Sequence, residues 1–313
     1  MKLVVTGALG HIGSKLIREI PTSFQNSEIV LFDNLSTQRY CSLFNLPDQG
    51  RYKFIEGDIL NADLVTLFDG ADYIIHLAAI TNAAGSFEIQ QEVENVNFVG
   101  TEKVAKACIQ TGSKLVYIST TSVYGTQSSI VDENCTISEL RPQSPYAESK
   151  LKSEQLLQNL GTKENLRYVT CRFGTIYGTS IGMRFHTAIN KFCWQAVMGI
   201  PITVWKTAYE QKRPYLDLND AIRAIIFIIE NGIFNNELYN VLTNNLTVKE
   251  ICEYIRMFVS NLQIEFVDSR IMNQLSYNVS SEKFSNLGFD SIGDIKAGIE
   301  NTIKLLGNVN TFK

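Results

Sequence analysis

Residues 2–13 read KLVVTGALGHIG, and this stretch decides the architecture. Lys2 to Thr6 is a short apolar, β-branched run that predicts a strand. Gly7, Gly10 and Gly13 follow at spacings of three, and His11 to Ile20 reads as a helix ended by Pro21. A chain that turns sharply from strand to helix, with its backbone bare for a close approach, favours residues without Cβ at those points. The N–H groups of the first helical turn have no intrahelical acceptor, so they present a positive end to an anion.

Five more apolar runs follow, at Glu28–Phe32, Tyr52–Ile55, Ala71–Leu77, Lys114–Ser119 and Tyr168–Phe173. Helical stretches lie between them, among them Asn61–Leu67, Asn95–Thr111 and Tyr146–Asn159. Short apolar strands alternating with amphipathic helices predict an α/β fold, a doubly wound parallel sheet covered on both faces. Ligands of such sheets sit at the carboxyl ends of the strands. Beyond Gly178 the alternation weakens. Helices are expected at Arg184–Val197, Asp220–Glu230 and Thr247–Val259, and a strand at Ile202–Trp205. Thr247 and Glu250 have the spacing of a capping box.

With 313 residues the chain is long enough for about two domains. A net charge of −4 argues against nucleic-acid binding, which needs a basic field. The longest apolar stretch, 221–234, is broken by Arg223, Glu230 and Gly232, so no membrane partner is expected. Six scattered cysteines without a CxxC pair read as reduced thiols of a cytoplasmic protein, with neither disulfide framework nor metal site.

A glycine triplet alone is weak evidence, but two acids strengthen it. Asp33 ends the second strand, 20 residues past Gly13, where a carboxylate would accept from the hydroxyls of an adenosine ribose. An acid there repels a 2′-phosphate and favours NAD over NADP. Asp58 ends the third strand and is a candidate acceptor for the adenine amine.

Tyr146-Ala-Glu-Ser-Lys150 opens a predicted helix after Pro145. The i, i+4 spacing puts phenol and ammonium on one face. A tyrosine is a poor base at neutral pH unless a nearby cation draws its pKa down. Given that, Tyr146 would take a proton from a substrate hydroxyl during oxidation, and Lys150 would also hold the cofactor ribose. The strand end Ser119-Thr120-Thr121-Ser122 supplies hydroxyls to polarise the reacting oxygen.

These motifs occur with others in a fixed order: TGALGHIG, FDNLST, EGDI, HLAA, NVNFVGT, STTSVYG, YAESK, RFGTIYG and KRPYLDLNDA. Together they cover nearly the whole chain, which resembles the extended short-chain dehydrogenase/reductase family in its sugar-nucleotide epimerase/dehydratase branch. The resemblance implies a Rossmann domain over 1–173 and a smaller mixed α/β substrate lobe over 174–313, with some chain crossing back. It implies a tightly bound NAD, a nucleotide-diphosphate sugar oxidised at C4, a role in surface-glycan or capsule-type sugar biosynthesis, and a homodimer formed through Asn95–Thr111 and Tyr146–Asn159. Position by position, it makes Thr120, Tyr146 and Lys150 catalytic. It assigns Gly7, Gly10, His11, Ile12, Gly13, Asp33, Asn34, Asp58, Ile59, Ala78 and Lys150 to the cofactor, and Asn97 to a structural role. Thr81, Thr121, Thr175, Arg184, Arg213 and Arg270 are the substrate candidates, with Arg213 on the diphosphate.

Three departures narrow this. Thr121 and Ser122 stand where 4,6-dehydratases carry an Asp-Glu pair, which disfavours water loss. Thr175 stands where Asn is usual, and Met183-Arg184-Phe185-His186 has no generic counterpart. Oxidation at C4 remains, with epimerase and dehydrogenase outcomes both open and the sugar either hexose or heptose. The competing class is a non-catalytic NAD-binding regulator.

Overall fold

The computed structural model describes residues 1–125, 130–268 and 276–307. Strands β1 (Lys2–Thr6), β2 (Glu28–Asp33), β3 (Arg51–Glu56), β4 (Tyr73–His76) and β5 (Lys114–Thr120) all enter one parallel sheet. Tyr168–Phe173 and Leu238–Val241 complete its seven strands. The order is Leu238–Val241, Tyr168–Phe173, β5, β4, β1, β2, β3. This is the Rossmann-like doubly wound sheet that the alternation predicts.

Side chains of a strand alternate between faces, so each strand feeds two cores. Leu3, Val5, Ile29 and Leu31 pack beneath helix α1 (His11–Ser23) and the helix Leu218–Glu230. Val4, Val30 and Phe32 face the other way, against Val104 and Cys108 of Gly100–Thr111 and Leu157 and Leu160 of Pro145–Lys163. A third core, with Ile189, Phe192, Ile202, Val204, Ile251 and Ile299, joins the helices Ala188–Val197, Val248–Arg256 and Ile295–Leu306. Its strands Thr175–Tyr177, Lys212–Asp217 and Asn244–Thr247 form a separate three-stranded sheet.

Some boundaries differ from the sequence reading. Pro21 does not end α1, which continues to Ser23. Its missing N–H leaves the Ile17 carbonyl without the i−4 bond, and the Tyr52 hydroxyl donates to that carbonyl at 3.0 Å instead. The helix expected from Asn61 starts at Leu64, capped by Asp63, which accepts from Thr66 N–H. The helix expected from Arg184 starts only at Ala188. Thr247 and Glu250 do form a capping box. Among the described residues no helix is long and apolar enough to cross a membrane.

Candidate active site

The turn after β1 has no room for side chains. Gly7 has φ +67°, and a Cβ on it would lie 2.6 Å from the Ala78 nitrogen. A Cβ on Gly13 would lie 2.5 Å from the Gly7 carbonyl oxygen. Gly10 is different: a Cβ there meets only the Gly7 oxygen, at 3.3 Å, and would occupy the cradle itself. Gly10 also caps α1 without any side-chain bond, so the first-turn N–H groups have no side-chain acceptor there. A bare cradle with free donors at the start of a 13-residue helix fits a dinucleotide diphosphate.

Asp33 orders the loops on either side of it. One carboxylate oxygen accepts from Leu9 N–H at 3.0 Å and the other from Leu35 N–H at 2.9 Å. Asn34 donates to Asp58 at 3.0 Å, and Asp58 also accepts from Leu60 N–H. Ile59 is buried in the second core, and Ala78 N–H donates to the Thr6 hydroxyl at 3.3 Å. These five residues flank a cavity without lining it.

The cavity itself has a volume of about 490 Å³. Gly7, Gly10, His11, Ile12 and Gly13 form its wall at the glycine turn, while Thr120, Thr121, Tyr146 and Lys150 come from the end of β5 and the helix Pro145–Lys163. Thr81, Thr175, Arg184 and Arg213 line it too. Arg270 lies outside the described residues.

Ser144 caps the helix that carries Tyr146, and Pro145 opens it, which places the phenol in the first turn. Thr120 accepts from Ser122 N–H at 3.1 Å and donates to the Ser122 hydroxyl at 3.1 Å, which fixes its rotamer. Asn97 holds the wall below β4, since its amide bonds both the N–H and the C=O of Ile80.

The sequence reading gave Lys150 the task of drawing the Tyr146 pKa down. The structure differs. Burial pushes the phenol up to about 12, and the groups that pull it back are the Thr120 hydroxyl and the Arg184 guanidinium. Lys150 donates instead to the Ile118 carbonyl at 2.8 Å and sits 4.8 Å over the Tyr117 ring. Burial lowers its own pKa to about 7, opposed by Glu154.

Arg213, also in the cavity lining, donates to the Lys212 carbonyl and to Gln211, and lies over the Tyr277 ring at 5.3 Å. Lys191, which sequence reasoning missed, donates to Thr203 at 3.0 Å and lines the same cavity. Its signal was present in the helical spacing, because Ala188, Lys191 and Phe192 share one face of Ala188–Val197.

The sequence model of the NAD dependent epimerase/dehydratase family matches residues 3–241. The chain is 30% identical to an Arabidopsis thaliana trifunctional UDP-glucose 4,6-dehydratase/3,5-epimerase/reductase, over 96% of this chain but 46% of that protein. It therefore spans about half the length of that relative. It is 30% identical to a Bos taurus dTDP-D-glucose 4,6-dehydratase, over 97% of this chain and 88% of that one. Among solved structures it is similar to the UDP-glucuronic acid 4-epimerase from Bacillus cereus in complex with UDP-glucuronic acid and NAD. That likeness has a TM-score of 0.86 and 27% identity, and covers 98% of this chain and all of that one.

Proposed function

The chain belongs to the NAD dependent epimerase/dehydratase family, and on that premise we propose that it oxidises the C4 hydroxyl of a UDP-sugar with a bound NAD, as a 4-epimerase or 4-dehydrogenase. The observation that carries this reading is the meeting of Thr120, Tyr146 and Lys150 in one wall of the cavity, at the carboxyl end of β5. Uridine diphosphate is the nucleotide of choice because the Bacillus cereus neighbour holds UDP-glucuronic acid and the plant relative is named for UDP-glucose.

The cofactor residues have graded tasks. The glycine cradle and the start of α1 take the dinucleotide diphosphate. Asp33 turns a ribose-accepting carboxylate toward the adenosine side, and Lys150 holds the second ribose. When bound, NAD supplies a hydride acceptor that can return the hydride. Tyr146 would take the proton of the C4 hydroxyl only as the phenolate and, as the phenol, give it back to the C4 oxygen, with Thr120 hydrogen-bonded to the same oxygen. A phenol that burial keeps protonated suits the returning half of this cycle. Arg213 and Lys191 hold the nucleotide diphosphate.

Among the described residues no Asp or Glu lines the cavity, so the site has no carboxylate to move protons at C5 and C6. This disfavours 4,6-dehydration, the activity named for several relatives. Residues 1–173 would carry the cofactor and 174–313 the sugar nucleotide. The family helices at Asn95–Thr111 and Tyr146–Asn159 would pair two copies in the cytoplasm. The test is proton NMR of UDP-sugars incubated with the protein, with and without a ketoacid acceptor. C4 inversion without acceptor supports epimerisation, and an acceptor-dependent ketone supports dehydrogenation. A 6-deoxy-4-keto product would overturn the reading.

A further inference from the structure

Tyr146, Lys150 and Glu154 stand at i, i+4 and i+8 of the helix Pro145–Lys163, so they form one stripe along it. The stripe runs back along the end of β5. Tyr146 meets the Thr120 hydroxyl, Lys150 donates to the Ile118 carbonyl at 2.8 Å, and Glu154 accepts from the Ser119 hydroxyl. Three successive residues of the strand are thus held by one helix. Tyr146 and Lys150 line the cavity and belong to the chemistry proposed above. Glu154 does not line it.

Its carboxylate is fixed from two strands at once. Arg172 stands in register with Ser119 across the pairing of Tyr168–Phe173 with β5. Its Nε and Nη2 donate to the two carboxylate oxygens at 3.0 and 2.6 Å, a fork that sets the plane of the group. The oxygen that accepts from Nε also accepts from Ser119. Ser119, Glu154 and Arg172 are 2%, 8% and 4% exposed, so these partners, and not solvent, hold the carboxylate. A hydroxyl has one hydrogen to donate, and that of Ser119 is spent on Glu154. It is therefore not free to polarise the reacting oxygen, the task expected of the hydroxyl run 119–122. A buried ion pair is also a poor route to stability, since apolar residues of the same volume often do as well.

We propose that Glu154 is a positioning residue for the C4 oxidation: anchored by Arg172, it holds Ser119, and so fixes the strand end that carries Thr120 against the helix that carries Tyr146 and Lys150. Helical side chains lean toward the N-terminus of their helix, so Glu154 reaches back toward Lys150 and the reacting end. A group misplaced by about 1 Å from the reacting atoms can cost up to about 100-fold in rate. Binding of NAD and of the nucleotide diphosphate is made by the glycine turn, Lys191 and Arg213, which the clamp does not touch. Its loss therefore falls on kcat and not on KM.

The inference rests on the C4-oxidation reading, and the experiment separates the two. The full chain loaded with NAD is given UDP-glucose, UDP-glucuronate and UDP-N-acetylglucosamine, with and without a ketoacid acceptor, and turnover is followed by NMR. Three variants are compared with it: Ser119→Ala, Glu154→Gln/Arg172→Met and Glu154→Leu/Arg172→Met. Both double variants remove the ion pair whole, so neither strands a charge. Only the glutamine keeps an acceptor for Ser119. Ser119→Ala and the leucine variant should each lose about 10-fold in kcat, with KM and retained NAD within about twofold of wild type. The glutamine variant should recover most of that loss. Yet the leucine variant should melt no lower than the glutamine one, whose amide hydrogens are left unpaired. Activity and stability then move in opposite directions, which a merely structural role does not produce. Equal kcat in the two double variants, or losses that follow the melting temperatures, overturns the inference and leaves the C4 reading standing. A loss in Ser119→Ala alone also overturns it and returns that hydroxyl to the substrate. A wild type inert on all three sugars, or one that releases a 6-deoxy-4-keto product, sinks the C4 reading and the inference with it.

Discussion

His11 Nδ1 accepts the backbone N–H of Arg184 at 3.2 Å, tying the first residue of α1 to a segment 173 positions away. The bond fixes the tautomer, with the proton on Nε2. Burial, reinforced by Arg184, Arg39 and His186, lowers the His11 pKa to about 3, so the ring stays neutral wherever the protein works. Two neighbouring bonds repeat the tie. The Ser180 hydroxyl donates to the His11 carbonyl, and Gly182 N–H donates to the Ser14 hydroxyl, both at 2.9 Å. Residues 180–184 thus form a strap across the glycine turn.

The strap is held at glycine distance. A Cβ on Gly182 would lie 2.5 Å from the Leu9 oxygen and 2.6 Å from the Gly10 oxygen. Gly182→Ala should therefore lift the strap, costing about 1–3 kcal/mol of stability by overpacking. NAD should also leave faster. Thermal melting and the cofactor retained through gel filtration check both outcomes.

Burying its charge makes Lys150 a cost to the fold. Its folded pKa of about 7 lies below the ordinary value of 10.5, so between these pH values the unfolded chain binds more protons than the native one. The penalty is full below pH 7 and fades as pH rises toward 10.5. Lys150→Met should abolish turnover yet raise the melting temperature at pH 6. The gain should shrink by pH 10. A variant equally destabilised at both pH values would count against the buried-charge account.

Glu154 and Arg172 make a buried ion pair at 2.6 Å, with side chains 7% and 5% exposed. Glu154 also accepts from the Ser119 hydroxyl, and the Arg172 guanidinium lies 4.7 Å over the Tyr124 ring. Removing one partner strands the other charge. Glu154→Gln should cost about 3 kcal/mol, read as a lower urea midpoint with an unchanged m-value.

Asp33 bonds the loops on both sides of the end of β2, at Leu9 and Leu35. Asp33→Asn turns one acceptor into a donor that opposes a backbone N–H, so NAD affinity should fall by about 10-fold, the effect of one charge-assisted bond. The preference for NAD over NADP should narrow. Titration calorimetry with both dinucleotides reads each directly.

Much of this was legible in the chain. The strands at Glu28–Asp33, Lys114–Thr120 and Tyr168–Phe173 were readable because apolar β-branched runs end at a glycine, an acid or a hydroxyl cluster. The glycine turn was readable for the same steric reason that the structure exhibits at Gly7 and Gly13. What escaped depended on partners distant in sequence. Tyr52 rescues the carbonyl freed by Pro21, so a helix breaker does not break its helix. The helix expected from Arg184 begins only at Ala188, and the polar groups of residues 180–184 are taken by His11 and Ser14. A π-helical turn at Glu94–Val99 interrupts the long helix expected there, and Asn97 in that turn reaches Ile80. The carbonyl that Lys150 bonds, that of Ile118, is 32 positions upstream and carries no sequence signal.

The central claim is that the C4 carbon of the sugar gives up its hydride beside Tyr146. The most direct measurement uses UDP-glucuronate deuterated at C4, followed by NMR in ordinary water with wild type and Tyr146→Phe. The expected result is slowed turnover of the labelled sugar, deuterium carried to the nicotinamide and from there either back to C4 of the inverted product or on to the added acceptor, and loss of turnover in the variant while NAD stays bound. Deuterium washed out into water, or full activity in Tyr146→Phe, would contradict it.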